Sequence, residues 1–462
     1  MDYIPRRLID QAIARLGPAE LAGRLRAMRD LAGRRGMGYV DDRGRARNID
    51  ITLKPWILTA AQLAAFRAVV HEFVDGLVRA RRLWRDVPAV RGVLRLTPAQ
   101  EAWLALAPRT AGRPWGVIGR LDSTASYDGP SWRRCMMLEP NAVGVGGVHY
   151  APAAGSIVLD VMGDVLRRVV APRRLRPAPD PRALLLGELT DVGRRLGIRV
   201  RRVALIENTD FTTGTDEFRH LAADLTARGL PAVVADPREL SLKQGRLRAK
   251  GGPVDLLYRD SELNEFIDME SGGARLEAMR RAVQEGRLVS GLPWELDQKS
   301  VWEIFSDARY ARAFRPSQRR LFARHVPWTR LVREARVPDP AGRSVDLVRY
   351  IRRHRRRLVL KPNTLFGGQG VLIGRETAAA EWERMLARSL AGRQEYVVQR
   401  EAPVASESFW FLERGRAVLR RRSTVSGFFF SSRGIGLIGR CSARRVVNVS
   451  QGGGVVAALV AS

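Results

Sequence analysis

Two carboxylates and one amide in the first half of the chain could together hold a metal ion. Asp122 lies in RLDSTAS, Glu139 and Asn141 lie in LEPN, and YDGPSW between the two stretches is typical of a turn. If the loop runs from about Asp128 to Arg133, Asp122 lies opposite Glu139, and period-two alternation puts Glu139 and Asn141 on one face. Three oxygen ligands on one face suit Mg²⁺. The alternative is a solvated polar face of a hairpin.

A lysine beside a glycine-rich turn could bind an anion. In LVLKPNTLFGGQGVLIG, Lys361 is one of only five lysines in a chain with 79 Lys and Arg residues. The pattern predicts two strands joined by a turn whose glycines let backbone N–H groups point at an anion. A lysine at the strand end offers a compact charge to a phosphate oxygen. The alternative is a surface hairpin whose glycines serve only the turn.

Two further stretches could complete such a site. EYVVQREAPV predicts an apolar strand, and the extended backbone at Tyr396, Val397 and Val398 could offer an N–H and a C=O to a flat heterocycle between apolar walls. Lys299 lies in LPWELDQKSVWEIF, just before a predicted helix, where a cation could contact the same anion.

The elements that would position these residues follow from hydrophobic periodicity. The first 110 residues predict helices, and the Pro- and Arg-rich stretch APRRLRPAPDPR predicts a linker. RVALIE, AVVAD and VDLLYRD alternate with helical segments, which indicates an α/β unit with parallel strands. Its first turn, ENTDFTTGTDEF, has a single glycine and so excludes a G-x-G-x-x-G dinucleotide turn. The last sixty residues predict strands and glycine turns.

Composition narrows the classes of protein and ligand. The 462 residues are 45% hydrophobic, with neither an apolar run of membrane-spanning length nor a signal-peptide pattern near the first residue, so we expect a soluble cytoplasmic protein without a membrane partner. Cys135 and Cys441 have no metal-ligand spacing, and five unpaired histidines argue against zinc. The net charge of +31 favours an anionic partner, and it leaves nucleic acid as an alternative to a small molecule. The arginines are spread along the chain without a nucleic-acid-binding motif, which argues against a dedicated nucleic-acid binder.

Taken together, RLD, LEPN, QKSVWEIF, LVLKPNTLFGGQGVLIG, YVVQRE and VVNVSQGGG resemble the circularly permuted ATP-grasp superfamily, which includes glutathionylspermidine-synthase-like proteins. In ordinary ATP-grasp enzymes the acidic ligands follow the lysine, glycine loop and hinge, whereas here they precede them. The resemblance covers roughly residues 116–460. It implies an α/β (α+β) ATP-grasp fold in permuted order, with the first hundred residues unmatched.

The resemblance also implies roles for individual residues. They are Mg²⁺ ligands at Asp122, Glu139 and Asn141; phosphate-binding lysines at Lys299 and Lys361; a phosphate-covering loop at Gly367, Gly368, Gln369 and Gly370; an adenine hinge at Tyr396, Val397, Val398 and Gln399; and catalytic cations at Arg120 and Lys361. Arg400 follows Gln399 where the family usually has an acid, and Glu401 comes one residue later.

The implied domains are a helical region at 1–110, an ATP-grasp core segment with the metal-ligand hairpin at 111–175, a pre-ATP-grasp-like α/β domain at 176–295, a lid with the nucleotide loop at 296–400, and a second core segment at 401–462. The implied activity is an ATP- and Mg²⁺-dependent ligase that joins a carboxylate to an amine through an acyl phosphate. Arg259, Arg433 and Arg440 are candidates to hold the substrate carboxylate. The alternatives are an inactive ATP-grasp scaffold that binds nucleic acid or another polyanion, and a small-molecule phosphotransferase.

Overall fold

The computed structural model describes residues 3–41, 44–109, 115–210, 214–365, 367–447 and 453–462. The part of the VVNVSQGGG motif at 448–452 lies outside the described residues.

Helices and strands are interspersed along the chain. The described α-helices are α1 (Arg6–Ala14), α2 (Pro18–Arg34), α3 (Ala60–Asp86), α4 (Pro88–Arg91), α5 (Pro98–Ala105), α6 (Tyr150–Val170), α7 (Pro181–Arg195), α8 (Glu217–Ala227), α9 (Leu263–Ser271), α10 (Glu277–Gln284), α11 (Val301–Ser306), α12 (Pro316–His325), α13 (Leu347–His354) and α14 (Ala379–Leu390). The described strands are β1 (Gly38–Val40), β2 (Ala46–Asn48), β3 (Trp56–Thr59), β4 (Gly119–Ser123), β5 (Met137–Asn141), β6 (Leu175–Pro177), β7 (Val203–Ile206), β8 (Gly214–Thr215), β9 (Ala232–Ala235), β10 (Ser241–Lys243), β11 (Arg246–Ala249), β12 (Gly252–Pro253), β13 (Leu256–Arg259), β14 (Leu288–Val289), β15 (Thr329–Leu331), β16 (Arg336–Pro338), β17 (Ser344–Asp346), β18 (Leu358–Pro362), β19 (Leu372–Ile373), β20 (Tyr396–Arg400), β21 (Ala405–Glu413), β22 (Arg416–Ser431), β23 (Gly434–Ser442), β24 (Gly454–Val456) and β25 (Ala458–Ala461).

The largest sheet joins the β4/β5 hairpin to the strands of the last sixty residues. Its order is β24-β23-β22-β4-β5, with β21 also paired to β22, and every pairing is antiparallel. The run Phe428, Phe429 and Phe430 in β22 is fully buried beside β4. The prediction of a β-rich end is therefore confirmed, and the predicted metal-ligand hairpin forms one edge of this sheet, with β5 as the terminal strand.

A second sheet carries the lysine and glycine motif. Its order is β15-β20-β18-β19, and all of its pairings are antiparallel. β18 and β19 form the hairpin predicted from LVLKPNTLFGGQGVLIG, with Val359 opposite Ile373. A separate core of Trp328, Trp382 and Leu360 packs under this sheet.

The predicted α/β unit is also confirmed. β14, β13, β7 and β9 form a fully parallel sheet, with Ala204 paired to Leu257 on one side and to Val233 on the other. Parallel strands need crossover connections, and α8 supplies the one between β7 and β9.

The two ends of the chain meet in a three-stranded sheet of order β3-β25-β6, in which β25 is parallel to β3 and antiparallel to β6. The prediction of a linker at 171–182 is wrong, because β6 pairs with β25 and Pro181 begins α7 after the Asp180 cap. Proline is tolerated in an edge strand as well as in a loop, so the same residues are compatible with β6 at the edge of this sheet. The first 110 residues are mainly helical, as predicted, but they also contain β1, β2 and β3.

Candidate active site

The hairpin of β4 and β5 has the predicted register. Asp122 pairs with Glu139 and Arg120 pairs with Asn141, with an irregularity in the ladder between Asp122 and Ser123. Residues two apart on a strand share a face, so all four side chains project on the same side of the sheet. All four line one cleft of about 510 Å³.

Asp122 is held by two arginines. Its Oδ1 accepts hydrogen bonds from Arg120 Nε at 2.7 Å and lies 2.7 Å from an Arg440 nitrogen, while its Oδ2 accepts from Arg120 at 3.1 Å and from the Asn141 amide at 3.5 Å. Burial alone favours the neutral acid, but Arg120 and Arg440 outweigh it, so the pKa of Asp122 lies well below its ordinary value. The carboxylate therefore fixes both guanidinium groups at the cleft wall.

Lys361 reaches the same cleft from β18. Its Nζ donates to Gln399 Oε1 at 2.8 Å, and the Gln399 amide donates to Thr329 Oγ1 at 3.0 Å. Burial lowers the pKa of Lys361, nearby Lys299 adds to this effect, and Glu139 opposes it. Because no carboxylate lies within ion-pair distance of Lys361 in the described part of the chain, its charge is available to an anion in the cleft.

Lys299 links the acidic hairpin to the glycine turn. Its Nζ donates to the backbone oxygen of Leu365 at 2.6 Å and lies 3.7 Å from Glu139 Oε2. The lysine is buried at the end of the segment that precedes α11. It is not among the residues that line the cleft.

The glycine turn needs glycine for backbone geometry. Gly367, Gly368 and Gly370 have φ values of 66°, 72° and 65°, which lie in the left-handed region. A Cβ on Gly368 would stand 2.4 Å from Val446 Cγ1. Together with Gln369, the first two glycines form one wall of the cleft.

The prediction of an open backbone edge at Tyr396, Val397 and Val398 is wrong. β20 lies between β15 and β18, and its backbone pairs with both neighbours, so these three residues are buried in the sheet. Of the predicted hinge, only Gln399 lines the cleft, followed by Glu401, Ala402 and Val404 in the irregular segment after the strand. Sequence periodicity identified the strand but could not show that both of its edges are occupied.

The three candidate arginines for a substrate carboxylate differ in their surroundings. Arg259 is fully buried and pairs with Glu295, and Arg433 is half exposed and donates to both oxygens of Asp191. Neither lines the cleft, whereas Arg440 does. Only Arg440 is positioned to contact a bound ligand.

Sequence reasoning missed an acidic end of the same cleft. Five carboxylates line it, and the described residues form no salt bridge with any of them: Glu207, Glu217, Asp260, Glu262 and Glu265. Glu207 directly follows β7 and Asp260 directly follows β13. The signal was available, because ligands of parallel α/β sheets bind beyond the carboxyl ends of the strands.

Burial and mutual repulsion shift the pKa values of these acids upward. Burial raises the pKa of Glu217 to about 7, against hydrogen bonds from the backbone N–H groups of Gly147 and His149. Burial and the surrounding acids raise the pKa of Asp260 to about 7 and that of Glu262 to about 8. These groups therefore exchange protons near neutral pH.

Within the described ranges, no three His, Cys, Asp or Glu side chains are grouped so as to hold a metal ion, and no helix there is long and apolar enough to cross a membrane. Cys135 and Cys441 are buried free thiols. The predicted Mg²⁺ ligands Asp122, Glu139 and Asn141 are not such a group, because Asn141 contributes an amide.

No family model and no curated protein matches the chain. Among solved structures, it is similar to a glutathione synthetase-like effector, GSS30, from Globodera pallida, with a TM-score of 0.62, 11% identity, and coverage of 96% of this chain and 97% of that chain. Weaker matches are a putative gamma-glutamylcysteine synthetase from Methylobacillus flagellatus (TM-score 0.38, 12% identity, 80% and 84% coverage) and an ATP-grasp RimK domain protein from Sphaerobacter thermophilus (TM-score 0.26, 17% identity, 54% and 96% coverage). The chain thus shares the fold of the glutathione synthetase-like effector over nearly its whole length.

Proposed function

We propose that this protein is an ATP-dependent ligase of the circularly permuted ATP-grasp type, which joins a carboxylate to an amine. One observation carries the proposal: a single cleft brings together Lys361, the glycine turn, the Glu139 and Asn141 pair and the Arg120 and Arg440 pair. These groups come from stretches more than two hundred residues apart in sequence, and each has the chemistry to contact a nucleotide or its reacting phosphate.

The phosphates of ATP would lie between Lys361 and the glycine turn. Lys361 supplies an unpaired ammonium, and Gly367 and Gly368 allow backbone N–H groups to approach an anion without a Cβ in between. Lys299 would reach the phosphates if binding drew it away from Leu365. The adenine would lie along residues 399–404, where the backbone leaves the sheet, rather than along 396–398.

Glu139 and Asn141 fit a Mg²⁺ ion. Both side chains line the cleft on one face of β5, and Mg²⁺ is commonly held by one or two protein oxygens together with substrate phosphates. Asp122 does not fit in the same way, because both of its oxygens already accept from guanidinium groups. We therefore assign Asp122 to the positioning of Arg120 and Arg440. Mg²⁺, when bound, would neutralise charge on the phosphates.

The chemistry is a carboxylate attack on the γ-phosphorus of ATP, which releases ADP and forms an acyl phosphate. An amine then attacks the acyl carbon, and phosphate leaves as the C–N bond forms. Arg120 and Arg440 would hold the substrate carboxylate and stabilise the charge that develops on the transferred group. No protein nucleophile is required.

The acidic end suits the amine. A protonated amine is attracted to Glu217, Asp260 and Glu262, and it must lose protons before and during the attack. Glu217 and Asp260, with pKa values of about 7, are partly ionised at neutral pH and can accept a proton from the amine. The opposite charges at the two ends of the cleft thus match the two substrates.

The proposal is tested by ADP release with a matrix of small carboxylates and amines in the presence of ATP and Mg²⁺. We expect release that needs both an acid and an amine, that depends on Mg²⁺, and that falls at least about 100-fold in Glu139→Gln. Glu381→Gln, an exposed carboxylate on α14, is the control. ADP release that needs only a single acceptor would indicate a phosphotransferase. If no acid and amine pair gave ADP release, the proposal would be contradicted.

A further inference from the structure

A second cavity, separate from the cleft, is lined by five arginines among its fourteen residues. It has a volume of about 380 Å³ and lies beside the last turns of α3, and none of its lining residues also lines the cleft. Val78, Arg81, Arg82 and Arg85 of α3 all contribute to it. Their spacing of three and four residues places them on one face of the helix, so three guanidinium groups converge on one hollow.

Among the residues that the structure describes, these three arginines have no acidic partner. Within the described ranges, no carboxylate lies within ion-pair distance of Arg81, Arg82 or Arg85, and this includes Glu101, which also lines the cavity. Many other arginines of this chain are paired, such as Arg24 with Glu20 and Asp164. Cations of like charge four residues apart on a helix repel each other, so the cluster lacks the compensation found elsewhere.

Arg81 is the most informative of the three. Its guanidinium lies 4.4 Å from the ring centre of Trp294, and its Nε is shielded from solvent and has no hydrogen-bond partner in the described part of the chain. Burial, with the charges of Arg85 and Arg82, lowers the pKa of Arg81 to about 9. The helix dipole favours cations in the last turn of α3, which accounts for Arg85. It does not account for Arg81, whose Nε is shielded from solvent.

Much of the remaining wall is apolar, although Arg91, Glu101 and Arg109 also contribute to it. Trp84, Leu104, Pro293 and Leu296 line the cavity, and Arg91 is held against Trp84 by donating to its backbone oxygen at 2.9 Å. The cavity volume lies within the range of small-molecule sites, which combine apolar walls with a few converging polar groups. A phosphate dianion offers three acceptor oxygens to several guanidinium groups, and an attached apolar group would lie against the walls.

We propose that this cavity binds a small organic phosphate, with Arg81, Arg82 and Arg85 contacting the phosphate group and Trp84 contacting the organic part. The site is independent of the ligase chemistry, because it shares no residue with the cleft. Two of its apolar wall residues, Pro293 and Leu296, nevertheless belong to the segment that leads to Lys299.

Calorimetric titration with phenyl phosphate tests the proposal, with phenol as the uncharged control. We expect a Kd of about 1 mM or tighter for phenyl phosphate and no measurable binding of phenol. Arg85→Ala, at an exposed position that tolerates substitution, and Arg81→Met, which keeps the apolar stem over Trp294, should each weaken binding about tenfold or more. Circular dichroism establishes that each variant is folded.

Two matched variants separate this site from other cations. Arg353→Ala removes an exposed, unpaired arginine from the last turn of α13, and Lys361→Met removes the free cation of the cleft. Both should leave the phenyl phosphate Kd within about twofold of that of the unmodified protein. The proposal is overturned if the protein does not bind phenyl phosphate, if Arg85→Ala binds it normally, or if either matched variant weakens binding as much as Arg85→Ala.

Discussion

One end of the cleft is basic and the other is lined by carboxyl groups, and the two ends stabilise these groups in different ways. At one end, Arg120 and Arg440 converge on Asp122, so cations are fixed in place by a carboxylate with a depressed pKa. At the other end, Asp260 and Glu262 have no cationic partner among the described residues, and their pKa values are raised. A chain with a net charge of +31 thus keeps an acidic region at its cleft, which shows that net charge does not describe the binding site.

The largest expected effect comes from removal of the free cation at the basic end. Lys361→Met keeps the apolar stem but removes the ammonium that would contact the phosphates. We expect ADP release to fall about 100- to 1,000-fold. Lys243→Met, an exposed lysine on β10, should retain full activity in the same assay. An unchanged rate in Lys361→Met would remove Lys361 from the mechanism.

A smaller and selective effect is expected at the acidic end. At pH 9, where Glu262 with its pKa of about 8 is ionised, Glu262→Gln removes a charge that would attract the amine, so the KM for the amine should rise about tenfold while the Kd of an ATP analogue stays unchanged. The KM is measured by steady-state kinetics with the acid and amine pair found by screening, and the Kd of the ATP analogue is measured by calorimetry. A parallel loss of ATP binding would show that the two ends are not separate subsites.

The glycine turn should respond more weakly. Gly368→Ala adds a Cβ at a φ of 72° that would stand 2.4 Å from Val446 Cγ1. The strain of about 1 kcal/mol should raise the Kd of the ATP analogue about fivefold. Val446→Ala relieves the contact but not the backbone strain, so the double variant should recover only part of the affinity. Wild-type affinity in Gly368→Ala would show that the turn does not need its left-handed conformation.

A separate prediction concerns the pH dependence of stability rather than catalysis or binding. Since burial raises the pKa of Glu262 from an ordinary 4.5 to about 8, the folded protein holds more protons than the unfolded chain between these values. Stability should therefore be greatest below about pH 4.5 as far as this group is concerned and should decline as pH rises through 8. In Glu262→Gln the decline in unfolding free energy from pH 5 to pH 8 should be smaller by roughly 3.5 kcal/mol in urea titrations. An identical pH profile in both proteins would contradict the raised pKa.

Local patterns in the sequence predicted local structure well. Period-two alternation gave the Asp122 and Glu139 register, and the apolar run ending in Lys361 gave the β18 and β19 hairpin. Both features depend on neighbours that are close in sequence. The parallel sheet followed equally from alternating strand and helix patterns.

Features that depend on distant partners were not predicted. The pairing of both edges of β20 requires β15, and the strand at Leu175–Pro177 exists because β25 lies beside it. The engagement of Asp122 by Arg440 joins residues more than three hundred positions apart. The acidic end had a usable signal in the residues after β7 and β13, but its charge is evident only when the five carboxylates are assembled in space.

The most direct test of the central claim is a calorimetric titration with a non-hydrolysable ATP analogue, with and without Mg²⁺. The account predicts one binding site per chain whose affinity rises with Mg²⁺, falls at least about tenfold in Lys361→Met, and is unchanged in Lys243→Met. Absence of binding under both conditions, or equal binding by Lys361→Met and the unmodified protein, would contradict the assignment of this cleft as a nucleotide site.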